Sequence, residues 1–231
     1  MSIVSLVFGC VYICACDKGE ETDTITEINR DDYNAKVKEL ANVFEDVYLN
    51  AFDGENIDFI KYDSIVSSRL GISEQEFFQM QINAQRLNTR SEGSTAFNVA
   101  EYLTDSQLAL YNEFTQLLEM KQELSDKDYQ IMLNKCNSLP QEEQELMKGI
   151  FETTKAILDA LNICKKNLST RAENPTWAKY VCNLTVSGCG TIWSTMAAGV
   201  ALAAGAATLT ASGIGLVIGL AGGAALSTVA C

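Results

Sequence analysis

The chain has 231 residues, among them 17 Lys and Arg, 30 Asp and Glu, 8 Cys and no His, and its formal net charge is −13. Without histidine it cannot build a Ser-His-Asp triad, a Cys-His dyad, a His-ligated zinc site or an imidazole general base. An acidic chain is also a poor partner for nucleic acid, because proteins bind nucleic acid largely through Lys and Arg.

Charged residues occupy only the middle of the chain. The first is Asp17 and the last is Lys179, so residues 1–16 and 180–231 carry no charged side chain. The chain therefore divides into an apolar head, a charged middle and an apolar tail. It contains no nucleophile elbow, phosphate-cradling glycine loop or calcium-loop spacing. We therefore expect no enzyme, no cofactor and no metal site.

The head, residues 1–15, is an apolar run that is too short for a membrane-spanning helix of about 20 residues. It ends at Ile13-Cys14-Ala15-Cys16, which resembles the lipobox of bacterial lipoproteins. That resemblance implies a signal peptide over 1–15 and lipidation of Cys16. The acidic residues that follow resemble the surface-export tethers of Bacteroidetes lipoproteins, and residues 16–31 are predicted to be a flexible tether. The alternative is a buried apolar strand or helix that happens to end in Cys.

Residues 32–171 are predicted to form a soluble bundle of about five or six helices. Apolar residues recur at spacings of three and four from Tyr33 onward, which is the pattern of one helix face. Further helices are predicted to start near Ser73, Thr104, Ser125 and Ser138, several with capping-box spacing, and a loop is predicted over 88–95. The fold class is therefore all-α.

Three features of the middle allow two interpretations each. Cys136 and Cys164 stand among helical apolar positions, which favours buried free thiols over a disulfide bond. Leu103-Thr104-Asp105-Ser106-Gln107 resembles the LTxxQ box of periplasmic helical chaperones, but a plain helix N-cap explains the same letters. Paired carboxylates such as Glu142-Glu143 and Asp31-Asp32 fit solvated helix starts better than acid/base chemistry or a hard cation.

The tail, residues 172–231, carries no charged side chain from Tyr180 onward and combines small and apolar side chains. Nine of the 15 glycines lie between Gly188 and Gly223. Small residues recur at every fourth position, as in the close packing of helices within membranes. This small-residue column consists of Gly199, Ala203, Ala207, Ala211, Gly215, Gly219 and Gly223.

The tail is predicted to form a membrane-active or membrane-anchoring helical hairpin, with arms over 191–210 and 214–230 and a turn at Ala211-Ser212-Gly213. Glycines in a soluble helix cost about 1 kcal/mol each relative to Ala, and close packing in a bilayer can offset that cost. Trp177, Tyr180 and Trp193 are placed for an interfacial aromatic belt. The alternative is a helical hairpin buried inside a soluble precursor.

Three cysteines mark the ends of the tail. Cys182 and Cys189 on one helix would lie about 10 Å apart along the axis, too far for a disulfide bond. A hairpin brings Cys231 back near Cys189, or near Cys182 if the entry segment bends. We predict the bond Cys189–Cys231 and keep Cys182 as a candidate.

The charged leader followed by a Gly/Ala-rich tail with terminal cysteines resembles halocin-type bacteriocin precursors. The residues that carry the likeness are Tyr180-Val181-Cys182, 187–192, the glycine and alanine run, and Cys231. It implies that the C-terminal peptide is the antimicrobial part and that the leader acts as an immunity or solubilising partner. Taken with the lipobox and the small-residue column, it predicts a cell-envelope lipoprotein, lipid-anchored at the outer membrane or cell surface, that carries a membrane-permeabilising peptide able to assemble through that column and to be released near 171–175. The alternative is a non-toxic membrane-anchored helical lipoprotein that acts as an interaction or chaperone-like module.

Overall fold

The computed structural model describes residues 30–70, 98–169, 176–186 and 214–230. Within these ranges the chain forms seven α-helices, one 3₁₀ turn at Val99–Glu101 and no β-strand, which confirms the predicted all-α class. The α-helices are α1 Arg30–Ala51, α2 Phe59–Leu70, α3 Asp105–Lys121, α4 Asp126–Cys136, α5 Gln141–Ser169, α6 Trp177–Val186 and α7 Ile214–Ala230.

Helix α1 follows the predicted period. Val37, Leu40, Phe44 and Val47, spaced by three and four residues, are all buried. The sequence pattern missed α2, which follows α1 after a tight connection. In that connection Gly54 has φ of +102°, a conformation that L side chains rarely adopt. The side chain of Asp53 accepts hydrogen bonds from the backbone N–H groups of the next residues.

The start of α3 confirms the predicted capping box. The Thr104 hydroxyl accepts a hydrogen bond from the Gln107 backbone, and the Gln107 side chain accepts one from the Thr104 N–H. The same Gln107 amide donates to the carbonyl of Glu143 over 3.0 Å, which joins the starts of α3 and α5. Two local hydrogen bonds between a side chain and the backbone, and one tertiary hydrogen bond, therefore depend on Thr104 and Gln107.

Helices α4 and α5 also form where the sequence predicts them. Ser125 caps α4 through the N–H of Asp128. The 29-residue helix α5 begins directly after Pro140, whose fixed φ and missing N–H suit a helix start. The rings of Phe114 on α3 and Phe151 on α5 lie 4.5 Å apart at their centroids, so the two helices share the core.

Helix α5 is the centre of the bundle. It packs most extensively against α1 on one side and α7 on another, and it also contacts α3 and α4. Helix α7 in turn contacts α3 and α6, and α2 packs on α1. The charged middle and the apolar tail therefore share one hydrophobic core, which includes both Phe114 and Ile218.

Several predictions lie outside the described residues. They are the signal peptide over 1–15, most of the tether over 16–31, the helix from Ser73, the loop over 88–95, the hairpin arm over 191–210 and the turn at 211–213. These remain predictions.

Candidate functional site

The apolar helix α7 lies inside the bundle, and its surroundings are the first candidate site. Every residue from Val217 to Leu226 is buried except Ala224, which is partly exposed. The walls around it come from α3, α5 and α6. A helix that is apolar on all sides has to be covered, either by protein or by lipid, and here protein covers the described part.

One hydrogen bond ties α7 to α3. The hydroxyl of Tyr111 donates to the backbone carbonyl of Ala221 over 2.8 Å, in a buried environment. Burial raises the pKa of Tyr111 above its usual value, so the phenol keeps the proton that the bond requires. The contact uses a carbonyl in the middle of a helix and fixes α7 along its own axis.

At Gly222, α7 lies close against two threonines of α5. A Cβ atom placed there would lie 3.3 Å from Cγ2 of Thr153 and 3.3 Å from Oγ1 of Thr154, tighter than ordinary van der Waals contact. Both threonines are fully buried. The absent side chain at Gly222 therefore lets two helices approach more closely than an alanine would allow.

The predicted small-residue column is only partly within the described residues. Gly219 and Gly223 are buried in α7, and Gly215 lies in the first turn of that helix. Gly199, Ala203, Ala207 and Ala211 lie outside the described ranges. Gly222, which stands beside the column, was not singled out from the sequence, because its role depends on the neighbouring α5 threonines.

The aromatic residues at the start of the tail form a cluster with α1. Tyr180 has no exposed surface, and its hydroxyl donates to the carbonyl of Phe44 over 2.7 Å. Its ring centroid lies 4.9 Å from that of Tyr48 and 5.4 Å from that of Trp177. In this structure the two residues expected at a membrane interface therefore attach α6 to the bundle. Trp193 lies outside the described residues.

The cysteines divide into two groups. Cys136 and Cys164 are buried free thiols, as expected, and burial raises the pKa of Cys136 to about 11 and that of Cys164 to about 12. Such thiols stay protonated and unreactive at neutral pH. Cys182 is disulfide-bonded. Cys189 and Cys231 lie outside the described residues, so the predicted pairing remains a prediction, as does lipidation of Cys16.

A second candidate site is a group of charged and phenolic side chains between α1, α4 and α5. The buried Lys155 amine lies 2.6 Å from Asp159 Oδ1 and 3.1 Å from Asp126 Oδ1. The Tyr33 hydroxyl donates to Asp159 Oδ2 over 3.1 Å. Burial and the adjacent Asp159 charge raise the pKa of Tyr33. The hydrogen-bonded ion pair makes burial of the lysine tolerable.

Glu152 also lies on α5, and the environment of its carboxyl group differs from that of Asp159. Burial raises its pKa to about 7, an effect that the positive charge of Lys148 opposes. Its Oε2 has no hydrogen-bond partner among the described residues. Burial also raises the pKa of Tyr129, and the charge of Glu152 raises it further. Glu152 can therefore hold a proton near neutral pH.

The sequence pattern did not single out the acidic residues of this second site, Asp126, Glu152 and Asp159. The paired carboxylates considered from the sequence were Glu142, which is exposed, and Glu143, which is partly buried in the first turn of α5. The available signal was the i,i+4 spacing of Lys148 with Glu152 and of Lys155 with Asp159, which places each pair on one helix face. That spacing alone does not distinguish a solvated pair from a buried one.

Two further results concern the whole described part. None of the helices in residues 30–70, 98–169, 176–186 and 214–230 is both long and apolar enough to span a bilayer. Among the same residues no group of three or more Cys, Asp or Glu is arranged to hold a metal ion.

Compared with known proteins, the chain matches no protein-family model, no curated protein and no solved structure.

Proposed function

We propose that this chain is a cell-envelope lipoprotein that carries a membrane-permeabilising, bacteriocin-like C-terminal segment, and that its helical bundle shields that segment until release. The observation that supports this most directly is the burial of α7, an uncharged helix, against α3, α5 and α6. The action is physical, and it needs no catalytic residue, cofactor or nucleic acid.

The energetic argument rests on the apolar surface of α7. Burial of a large aliphatic side chain contributes about 1.5–3 kcal/mol, and Val217, Ile218, Leu220 and Leu226 are all buried. Protein and lipid both remove this surface from water. The bundle and a membrane are therefore competing environments for α7, and the contacts that α7 makes in the bundle decide which of them it occupies.

The mechanism that follows has three steps. Lipid on Cys16 and the tether over 16–31 hold the chain at the outer membrane or cell surface. Cleavage between 171 and 175 separates α6 and α7 from the bundle. The hairpin then inserts into a target membrane, where the small-residue column from Gly199 to Gly223 packs copies together and the membrane leaks.

The test uses the full chain with a specific protease site inserted between residues 171 and 175. Leakage of a trapped dye from phosphatidylethanolamine and phosphatidylglycerol vesicles is measured before and after cutting. A matched control carries the same site between residues 88 and 95, so that cutting leaves α3 to α7 in one piece. We expect leakage only after the cut at 171–175. Absence of leakage from that cut chain would overturn the permeabilising function.

A second candidate function is a non-toxic, membrane-anchored interaction or chaperone-like module. The observation that favours it is the use of α7 and Tyr180 as core elements, since the bundle then needs its tail for stability. Under this function the chain stays uncut in the membrane of the producing cell. Immunoblotting of producer membranes and of the culture medium separates the two functions by the size and location of the chain.

A further inference from the structure

Two contacts of α7 with its neighbours fall at adjacent positions of the helix. Ala221 accepts the hydrogen bond of Tyr111, and Gly222 lies against Thr153 and Thr154 of α5. The two contacts reach α7 from different helices. Together they fix both its axial position and its depth in the bundle.

The two threonines satisfy their polar atoms differently. The Thr154 hydroxyl donates to the carbonyl of Ile150 in its own helix over 2.8 Å. The Thr153 hydroxyl has no exposed surface and no hydrogen-bond partner among the described residues. A buried hydroxyl without a partner lowers the stability of the state that buries it. The bundle with α7 in place is therefore less stable than it would be with an apolar side chain of the same shape at position 153.

We propose that Tyr111, Thr153 and Gly222 form an autoinhibitory lock that keeps α7 in the bundle, and that the lock is weakened at Thr153 so that α7 can leave. This inference rests on the proposed function. The hydrogen bond from Tyr111 and the close contact at Gly222 hold the helix, while the unsatisfied Thr153 hydroxyl favours release. The lock therefore sets how readily α7 exchanges the bundle for a membrane.

If these residues hold α7, substitutions at them should change how firmly α7 is held in the bundle, some weakening its attachment and one strengthening it. Tyr111→Phe removes the hydrogen bond, and Gly222→Leu forces α7 away from Thr153; both should loosen α7. Thr153→Val replaces the unsatisfied hydroxyl with a methyl group of the same shape and should tighten it. Ala224→Leu adds the same side chain as the Gly222 variant at a partly exposed position of α7 and serves as the control.

The experiment measures hydrogen exchange of the amides in 214–230 in the full chain without vesicles, and dye leakage after the cut at 171–175. Tyr111→Phe should raise exchange by about fivefold, and Thr153→Val should lower it by about the same factor. Leakage should be faster in the first variant and slower in the second. The Thr153 variant keeps the test decisive if the Gly222 variant does not fold.

The outcomes separate this inference from the proposed function. If exchange in 214–230 is the same in all variants as in Ala224→Leu, the lock is wrong, whatever the vesicles show. If exchange shifts with the expected signs but no cut chain releases dye, the lock is supported and the permeabilising function fails.

Discussion

The hydroxyl of Tyr111 donates a buried 2.8 Å hydrogen bond to the backbone carbonyl of Ala221, across 110 residues of sequence. A comparable bond joins Tyr180 to the carbonyl of Phe44. In both cases a tyrosine from one helix reaches the middle of another. The first bond attaches α7 to α3, and the second attaches α6 to α1.

The two tyrosine bonds allow a matched comparison. Tyr111→Phe and Tyr180→Phe each remove one buried hydroxyl and should each lower the free energy of unfolding by about 1 kcal/mol in urea denaturation. Hydrogen exchange should rise in 214–230 for the first variant and in 176–186 for the second. Equal exchange profiles for the two variants would contradict separate attachment of α6 and α7.

The ion pair of Lys155 is expected to contribute more to the free energy of unfolding than an ion pair on the surface. Lys155→Met leaves Asp159 with Tyr33 as its partner in an environment that is largely buried. Removal of one member of a buried pair costs about 3–5 kcal/mol, and the partial exposure of Asp159 should reduce this to about 2 kcal/mol.

The control for that variant is Lys61→Met. Lys61 lies 3.5 Å from Asp58, and both side chains are largely exposed. Its loss should change the free energy of unfolding by less than about 0.5 kcal/mol. Urea denaturation compares the two variants, and similar losses would mean that burial of Lys155 adds nothing to the pair.

The raised pKa of Glu152 should make the free energy of unfolding depend on pH. Its pKa of about 7 in the folded chain exceeds the ordinary value of 4.5, because burial disfavours the carboxylate. The stability from this group is complete below pH 4.5, falls as the pH rises from 4.5 to 7, and is level above that. Glu152→Gln should remove this slope and raise stability at pH 8 by on the order of 2 kcal/mol.

Thermal unfolding at a series of pH values from 4 to 8 measures that effect. Glu123→Gln, in the exposed loop between α3 and α4, controls for the loss of one negative charge. A slope between pH 4.5 and 7 that persists unchanged in Glu152→Gln would show that another group causes it.

The two ends of α3 predict opposite effects on stability. Thr104→Ala removes the acceptor of the capping box and should lower stability by about 1 kcal/mol. Gln122 ends the helix with φ of 58°, the left-handed conformation that glycine adopts without strain. Gln122→Gly should therefore raise stability by about 0.5–1 kcal/mol. Melting temperatures measure both, and a shift of the same sign in the two variants would contradict this account of the ends.

Local signals identified most of the described helices. The capping residues Thr104 and Ser125, the proline before α5 and the apolar period of α1 all act over three or four residues, so they can be recognised without the fold. Helix α2 was missed although the signal was present, since Phe59, Tyr62 and Val66 recur at the helical spacings of three and four. The group around Lys155 and Glu152 was missed because burial of a charged side chain is decided by helices distant in sequence.

For α7, the sequence determined that the helix has to leave water, because it carries no charge and is apolar on all sides. The pattern could not determine what covers it, since lipid and a protein core remove apolar surface equally well. The tertiary structure decided in favour of the bundle for the described residues. Tyr111 supplies a hydrogen-bond donor at Ala221, and the buried threonines of α5 fit against the absent side chain of Gly222.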